Sequence, residues 1–235
     1  MIFRNLDLLS HNPVAFFSIL VFTVIALLVA VTVHEFSHAL IATTLGDNLA
    51  RRQGRLSLNP LAHLDPMGSV MLFLVGFGWG KPVPVNAQAL RGDAFRGMSL
   101  VAAAGPISNA ITATIFALPF KAGLLAWPLR SFGSMFLSSQ PEAIAALVLA
   151  FVVLYNLLLG VFNLIPLFPL DGSRVVLGLL PWELASRYAS LERVGPVLLL
   201  ALIIISSVTN LDLFGRILRP MVNVLLGILV GRHLF

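Results

Sequence analysis

VAFFSILVFTVIALLVAVTVHEFSHALIATTL, residues 14–45, decides the fold. No charged residue interrupts it from Val14 through Val33. A helix needs roughly 20 apolar residues to cross about 30 Å of hydrocarbon. The run is therefore a membrane span. Towards its end it carries His34-Glu35-Phe36-Ser37-His38. A charged side chain at mid-bilayer costs roughly 2.5–3.5 kcal/mol on insertion scales, so intramembrane ionisable residues usually mark function.

The rest of the chain agrees with that span. Of its 235 residues, 58% are hydrophobic and only 11% charged. Soluble domains average about 45–50% apolar and about 25% charged residues. Too few charges remain to cover a soluble surface, and disordered, coiled-coil and disulfide-rich classes are excluded. The lack of cysteine removes disulfides, thiolate metal sites and a Cys nucleophile. The net charge of +5 comes mostly from arginine. In so apolar a chain, basic residues set orientation or meet anionic lipid rather than nucleic acid.

Three more stretches are long enough to cross: about Met98 to Phe120, about Ala143 to Leu164, and about Val194 to Val230. The last is interrupted at Thr209–Asp212 and makes two crossings. No small-residue cleavage signature follows the first run, so it reads as a retained helix. Met67 to Trp79 is shorter and contains Gly68, Gly76 and Gly78. That length suits a re-entrant dip whose ends lie on one side. With the N-terminus outside, Arg51, Arg52, Arg55, Lys81, Arg91, Arg96, Arg174, Arg187, Arg193 and Arg232 fall inside. Arg4, Lys121, Arg130, Arg216 and Arg219 fall outside. The expected architecture is all-α and polytopic: about five transmembrane helices, a re-entrant segment with a possible short β edge, and a three-helix catalytic core. It forms one domain over 1–235, with the core at about 14–175 and a C-terminal helix pair at about 194–235.

In a helix, residues i and i+4 share a face, so His34 and His38 can bind one metal ion. Glu35 sits beside that face, within reach of a water on the metal. This is the H-E-x-x-H arrangement of zinc hydrolases. With five histidines and four glutamates in the chain, chance would give on the order of 0.002 such matches. The plainer reading, histidines hydrogen-bonded inside a bundle, loses to the cost of burying charge.

Catalytic zinc usually takes three protein ligands. Asp47, His63, Asp65 and Asp171 are candidates for the third. His34 lies about 21 residues after Pro13, roughly 30 Å along the axis, which puts the pair toward the inner side. The third long run also travels inward and ends at Asn163-Leu-Ile-Pro166-Leu-Phe-Pro169-Leu-Asp171-Gly172. Asp171 thus arrives at the level of the histidines, against the alternative of a turn residue in Asp-Gly. Pro166 and Pro169 break the helix there, which membrane depth tolerates where backbone lines a cavity. Asn163 can hydrogen-bond a substrate carbonyl or oxyanion, or make an ordinary helix contact.

Together these residues resemble the site-2 protease family of intramembrane zinc metalloproteases. The resemblance runs through His34-Glu35-Phe-Ser-His38-Ala, Asn59-Pro60-Leu61-Ala62-His63-Leu64-Asp65-Pro66-Met67-Gly68 and Gly80-Lys81-Pro82-Val83-Pro84-Val85-Asn86. It continues through Ala104-Gly105-Pro106-Ile107-Ser108-Asn109 and Asn163 to Gly172. It implies one Zn2+ per chain held by His34, His38 and Asp171, Glu35 as general base, and Asn163 as the family's Asn ahead of its Asp-Gly. The chain looks like the compact prokaryotic branch without PDZ or CBS domains. The implied substrate is a single-span membrane protein or remnant signal peptide, cut after another protease has acted. The implied place is a prokaryotic cell membrane, with the active site toward the cytoplasm.

Other motifs carry smaller expectations. Pro82-Val-Pro-Val-Asn86 reads as an edge strand able to take an extended substrate, or as a loop. Ala104-Gly105-Pro106 reads as a small-residue helix contact or a kink, and Asn109 supports the site or bonds a neighbouring helix. His63 and Asp65 assist the site or, more simply, cap a turn. Gly76-x-Gly78-x-Gly80 lacks the pattern of a phosphate loop. His11 and His233 are near-terminal headgroup or solvent residues. The expected function is a zinc metalloendopeptidase. A membrane metal carrier also uses intramembrane His and Asp with broken helices, but no duplicated half is present. A catalytically silent binding protein fits less well, because every polar group that hydrolysis needs is there.

Overall fold

The computed structural model describes residues 6–75, 78–128, 140–209 and 211–231. Arg4, Gly76, Arg130, Arg232 and His233 lie outside the described residues. Among the described residues ten α-helices follow in order: α1 (Leu6–His11), α2 (Pro13–Thr44), α3 (Leu49–Arg52), α4 (Pro66–Val75) and α5 (Ala94–Lys121). Then come α6 (Pro141–Asn163), α7 (Asp171–Leu179), α8 (Trp182–Ala189), α9 (Gly195–Thr209) and α10 (Leu213–Val230). Among the described residues there is no strand. The chain is an all-α polytopic membrane protein.

Helix α2 starts where the sequence chemistry says it should. Pro13 occupies the first turn, where its missing N–H is harmless, and Asn12 Oδ1 accepts from Ala15 N at 3.0 Å. The helix runs for 32 residues, about 48 Å at 1.5 Å per residue. Gly46, at φ 112°, turns the chain away. Helices α2, α5, α6 and α10 are each long and apolar enough to cross a membrane. Helix α9 has only 15 residues, about 22 Å. It counts as a fifth span only together with Trp182–Arg193, from which it bends by 62°. The expected C-terminal pair is therefore one full span and one broken one.

Helices α2, α5 and α6 form the centre. Ala26 of α2 packs against Phe151 and Val152 of α6. Ala113 and Ala117 of α5 meet Val153, Leu157 and Val161 of α6, and Val222 and Leu226 of α10 cover them. Lipid offers no hydrophobic drive for association, so close approach through small residues does that work. At Gly160 an added Cβ would stand 3.3 Å from Asn109 Cβ and 3.4 Å from Pro106 O. Helix α7 presses on α5 more tightly still. An added Cβ at Gly178 would lie 2.3 Å from Ser99 Cβ, and Ser99 Oγ donates to Val175 O at 3.1 Å.

The re-entrant expectation fits the chain path. Helix α4 has 10 residues, about 15 Å or half the hydrocarbon thickness. Asp65 Oδ1 caps it by accepting from Gly68 N at 2.7 Å. The chain comes back to where it left: Leu64 and Gly80 form an antiparallel bridge, and Lys81 N donates to His63 O at 2.8 Å. An added Cβ at Gly68 would collide with Trp79 O at 2.1 Å, so the return limb needs a glycine opposite it.

The expected β edge at Pro82–Asn86 does not form. Pro82 and Pro84 have no N–H. Val83 N donates instead to Glu35 Oε2 at 3.1 Å, and Asn86 N to Asp47 Oδ2 at 2.6 Å. Two carboxylates take the donors that a strand ladder would have used, and the segment is a loop.

Gly178→Ala should force α7 off α5. Overpacking of this kind costs about 1–3 kcal/mol, so the midpoint of thermal unfolding in detergent should fall below that of wild type.

Candidate metal centre and active site

The site is built from one turn of α2, the start of α7 and the backbone of α5. His34 and His38 lie one turn apart on α2, their ring centroids 4.6 Å apart. Both are buried. His34 Nδ1 donates to Asn109 Oδ1 at 2.7 Å, and His38 Nδ1 donates to Val101 O at 2.7 Å. Both acceptors belong to α5. With the proton on Nδ1, each Nε2 presents a lone pair.

Asp171 meets those lone pairs. Its Oδ2 lies 3.0 Å from His34 Nε2 and 3.3 Å from His38 Nε2. It is the first residue of α7. The chain reaches it by folding back under the end of α6, which Gly172 permits. An added Cβ there would stand 2.2 Å from Leu164 O. Ser173 Oγ donates to Leu170 O at 2.6 Å and Tyr188 OH to Pro166 O at 2.8 Å, securing the broken stretch.

These three residues bring their ligand atoms within 4.8 Å of one another, two of them buried and one part-buried. Asp171 Oδ2 is buried without a hydrogen-bond donor. Three acceptors facing one another repel unless a cation lies among them. Zinc bound tetrahedrally at about 2.0–2.2 Å would space its ligand atoms about 3.3–3.6 Å apart. The distances from Asp171 Oδ2 to the two imidazoles are near that spacing, and a His2Asp set suits zinc. The residues therefore fit the ion.

Helix α5 comes close enough to support the imidazoles because position 105 has no side chain. An added Cβ at Gly105 would stand 2.5 Å from His34 Cε1 and 2.6 Å from both His38 Cε1 and His38 Nε2. Asn109 is itself held. Its Nδ2 donates to Ala30 O at 3.0 Å and to Asn156 Oδ1 at 2.8 Å, while Asn156 Nδ2 donates to Val152 O at 2.8 Å. Both amides are fully buried. A chain of side-chain hydrogen bonds thus joins α6 through α5 to His34.

Glu35 stands beside the cluster and outside it. Its Oε2 accepts from Val83 N, so the return limb of the re-entrant segment lies over it. Asn163 ends α6, and its Nδ2 donates to Leu159 O at 3.0 Å. The other candidate ligands are employed elsewhere. Asp47 accepts from Leu49 N and Asn86 N. Asp65 caps α4. His63 Nε2 donates to Ser57 O at 2.7 Å. Sequence reading missed Asn156, although a polar residue inside an apolar run was a usable signal. It took Gly105 for a small-residue helix contact or a kink; nothing in the pattern said that the contact is with imidazole rings.

The chain is 36% identical over 206 residues to a Bacillus subtilis (strain 168) protein named "Putative zinc metalloprotease YwhC", covering 88% of each. The chain belongs to the site-2 protease family. As a member of that family it is a zinc metalloprotease. Proteins described in the same words as YwhC and named Rip2 are also similar. That of Mycobacterium tuberculosis is 31% identical over 167 residues, covering 68% of this chain and 58% of that protein. That of Mycolicibacterium smegmatis is 29% identical over 107 residues, covering 44% of this chain and 41% of that protein. No family profile and no solved structure matches this site-2 protease.

Two substitutions test the α5 contribution. Gly105→Ala should displace both imidazoles and leave purified protein with little zinc by elemental analysis. Asn109→Leu keeps volume but removes the acceptor from His34; outer partners of this kind are worth about 10–100-fold in metal affinity, readable by competition with a chelator.

Proposed function

We propose that the chain is an intramembrane zinc endopeptidase that hydrolyses a peptide bond within or beside the transmembrane segment of a membrane-anchored substrate. The observation that carries this reading is where the ligands sit. His34 and His38 lie in the second half of a 32-residue apolar helix, so water and substrate meet at membrane depth.

In this reading His34, His38 and Asp171 hold one zinc ion. Zinc in such a site acidifies a water and polarises a carbonyl. Glu35 takes the proton from the attacking water and passes it to the departing amine nitrogen. Val83 N–H holds one of its oxygens and leaves the other for that transfer. Asn163 has one amide N–H engaged with Leu159 O; its second N–H serves the substrate carbonyl and the oxyanion that forms from it. A carboxylate beside the ligand set but outside it supports hydrolysis over metal transport, which has no use for a base there.

The substrate class is the one that the family resemblance implies, and the placement of the ligands agrees with it. A transmembrane helix hides its peptide bonds in i to i−4 hydrogen bonds. It must unwind before attack, and helix-weakening residues near the cut favour this. Single-span proteins and remnant signal peptides, already shortened by another protease, are the substrates. The excess of basic residues on the segments beside the site supports a site toward the cytoplasmic face of the cell membrane.

Purified protein incubated with zinc and single-span substrates tests the reading. Glu35→Gln should abolish cleavage while zinc and fold persist; full activity in that variant refutes the mechanism. Asp171→Ala should lower bound zinc, and an unchanged content would move the third ligand elsewhere. Zinc uptake into vesicles without cleavage would favour the carrier.

A further inference from the structure

We infer that the return limb of the re-entrant segment positions the catalytic base, acting through the backbone N–H of Val83. The inference rests on the reading of Glu35 as that base.

Val83 N donates to Glu35 Oε2 at 3.1 Å. Its neighbours Pro82 and Pro84 have no N–H, so Val83 supplies the one main-chain donor of these three residues. Both prolines also restrict the backbone on either side of it. The limb lies directly on α2: an added Cβ at Gly80 would stand 3.1 Å from Val31 Cγ1, 3.2 Å from His63 O and 4.0 Å from Glu35 Oε1. Val31 is one turn before Glu35 on the same helix face. The limb is anchored at both ends. Lys81 N donates to His63 O at 2.8 Å, and Asn86 N donates at 2.6 Å to Asp47, a buried carboxylate just past the end of α2. A donor held at both ends therefore fixes the flexible Glu35 side chain.

The chemistry gives this contact its weight. Proton transfer needs the carboxylate within hydrogen-bond reach of its water. A misplacement of about 1 Å costs on the order of 100-fold in rate. Helix α2 alone sets the Cα of Glu35 but not its three side-chain torsions. The limb supplies what the helix cannot, and Val83 is a positioning residue that acts through its main chain.

The test uses the full chain with zinc and a single-span substrate. It compares Val83→Pro, which removes the N–H, with Val83→Ala, which keeps it, and with Gly80→Ala, which pushes the limb off α2. Val83→Pro should lower kcat about 10–100-fold at wild-type KM and zinc content. Val83→Ala should stay near wild type, and Gly80→Ala should lose kcat with zinc retained. Wild-type kcat in Val83→Pro overturns the proposal. So do equal losses in Val83→Pro and Val83→Ala, which would assign the effect to the side chain, and so does a change confined to KM. If Val83→Pro loses zinc, Gly80→Ala decides: wild-type kcat there overturns the proposal. Glu35→Gln runs beside them. Cleavage by that variant removes the premise itself, whereas an inert Glu35→Gln with a fully active Val83→Pro removes only the positioning role.

Discussion

Three acceptors that repel one another, two on buried residues and one on a part-buried residue, are the constraint on which the rest of the structure depends. His34 Nε2, His38 Nε2 and Asp171 Oδ2 converge from two separate helices. Without support the imidazoles would rotate and the carboxylate would withdraw to solvent. Each ring is locked by a hydrogen bond on its other nitrogen, and both partners come from α5. This requires α5 to lie against the rings, hence a glycine at position 105. Asn109 must in turn keep one amide face toward His34, which its bonds to Ala30 O and Asn156 enforce. The mutual packing of α2, α5 and α6 follows from one small group of atoms.

Much of this was legible in the sequence, because low charge density makes each buried polar residue informative. The apolar runs gave the spans, H-E-x-x-H pointed to His34 and His38, and the inward course of the third long run brought Asp171 to their level, where the three residues cluster. The re-entrant dip was legible too, from a run too short to cross and rich in glycine. What stayed hidden depends on backbone rather than on residue type. The Val101 carbonyl and the Val83 N–H leave no mark in a string of letters. The β edge failed for a related reason. Alternating apolar residues say nothing of where the donors go, and Glu35 and Asp47 take those of Val83 and Asn86. The bend between Arg193 and Gly195, and the short helices after Asp171, likewise depend on docking against α5 and Phe168 rather than on period.

The two halves of the site are supported differently. The ligand half rests on closely packed helices and on glycines that cannot accept a side chain without collision. Glu35, the base of the proposed mechanism, instead meets a loop tied down at its ends. The loop also lies over the active-site turn of α2, so whatever approaches Glu35 from that side meets the loop first.

The ligand set is divided along the chain in a way that matters during synthesis. His34 and His38 enter the membrane with α2, whereas Asp171 is translated only after α6. At about 5–20 residues per second, the histidine pair waits on the order of ten seconds for its carboxylate. Until α7 folds back under the end of α6, the nascent chain carries an incomplete ligand set. The fold-back at Leu164–Gly172 is thus the step that completes the His34–His38–Asp171 cluster.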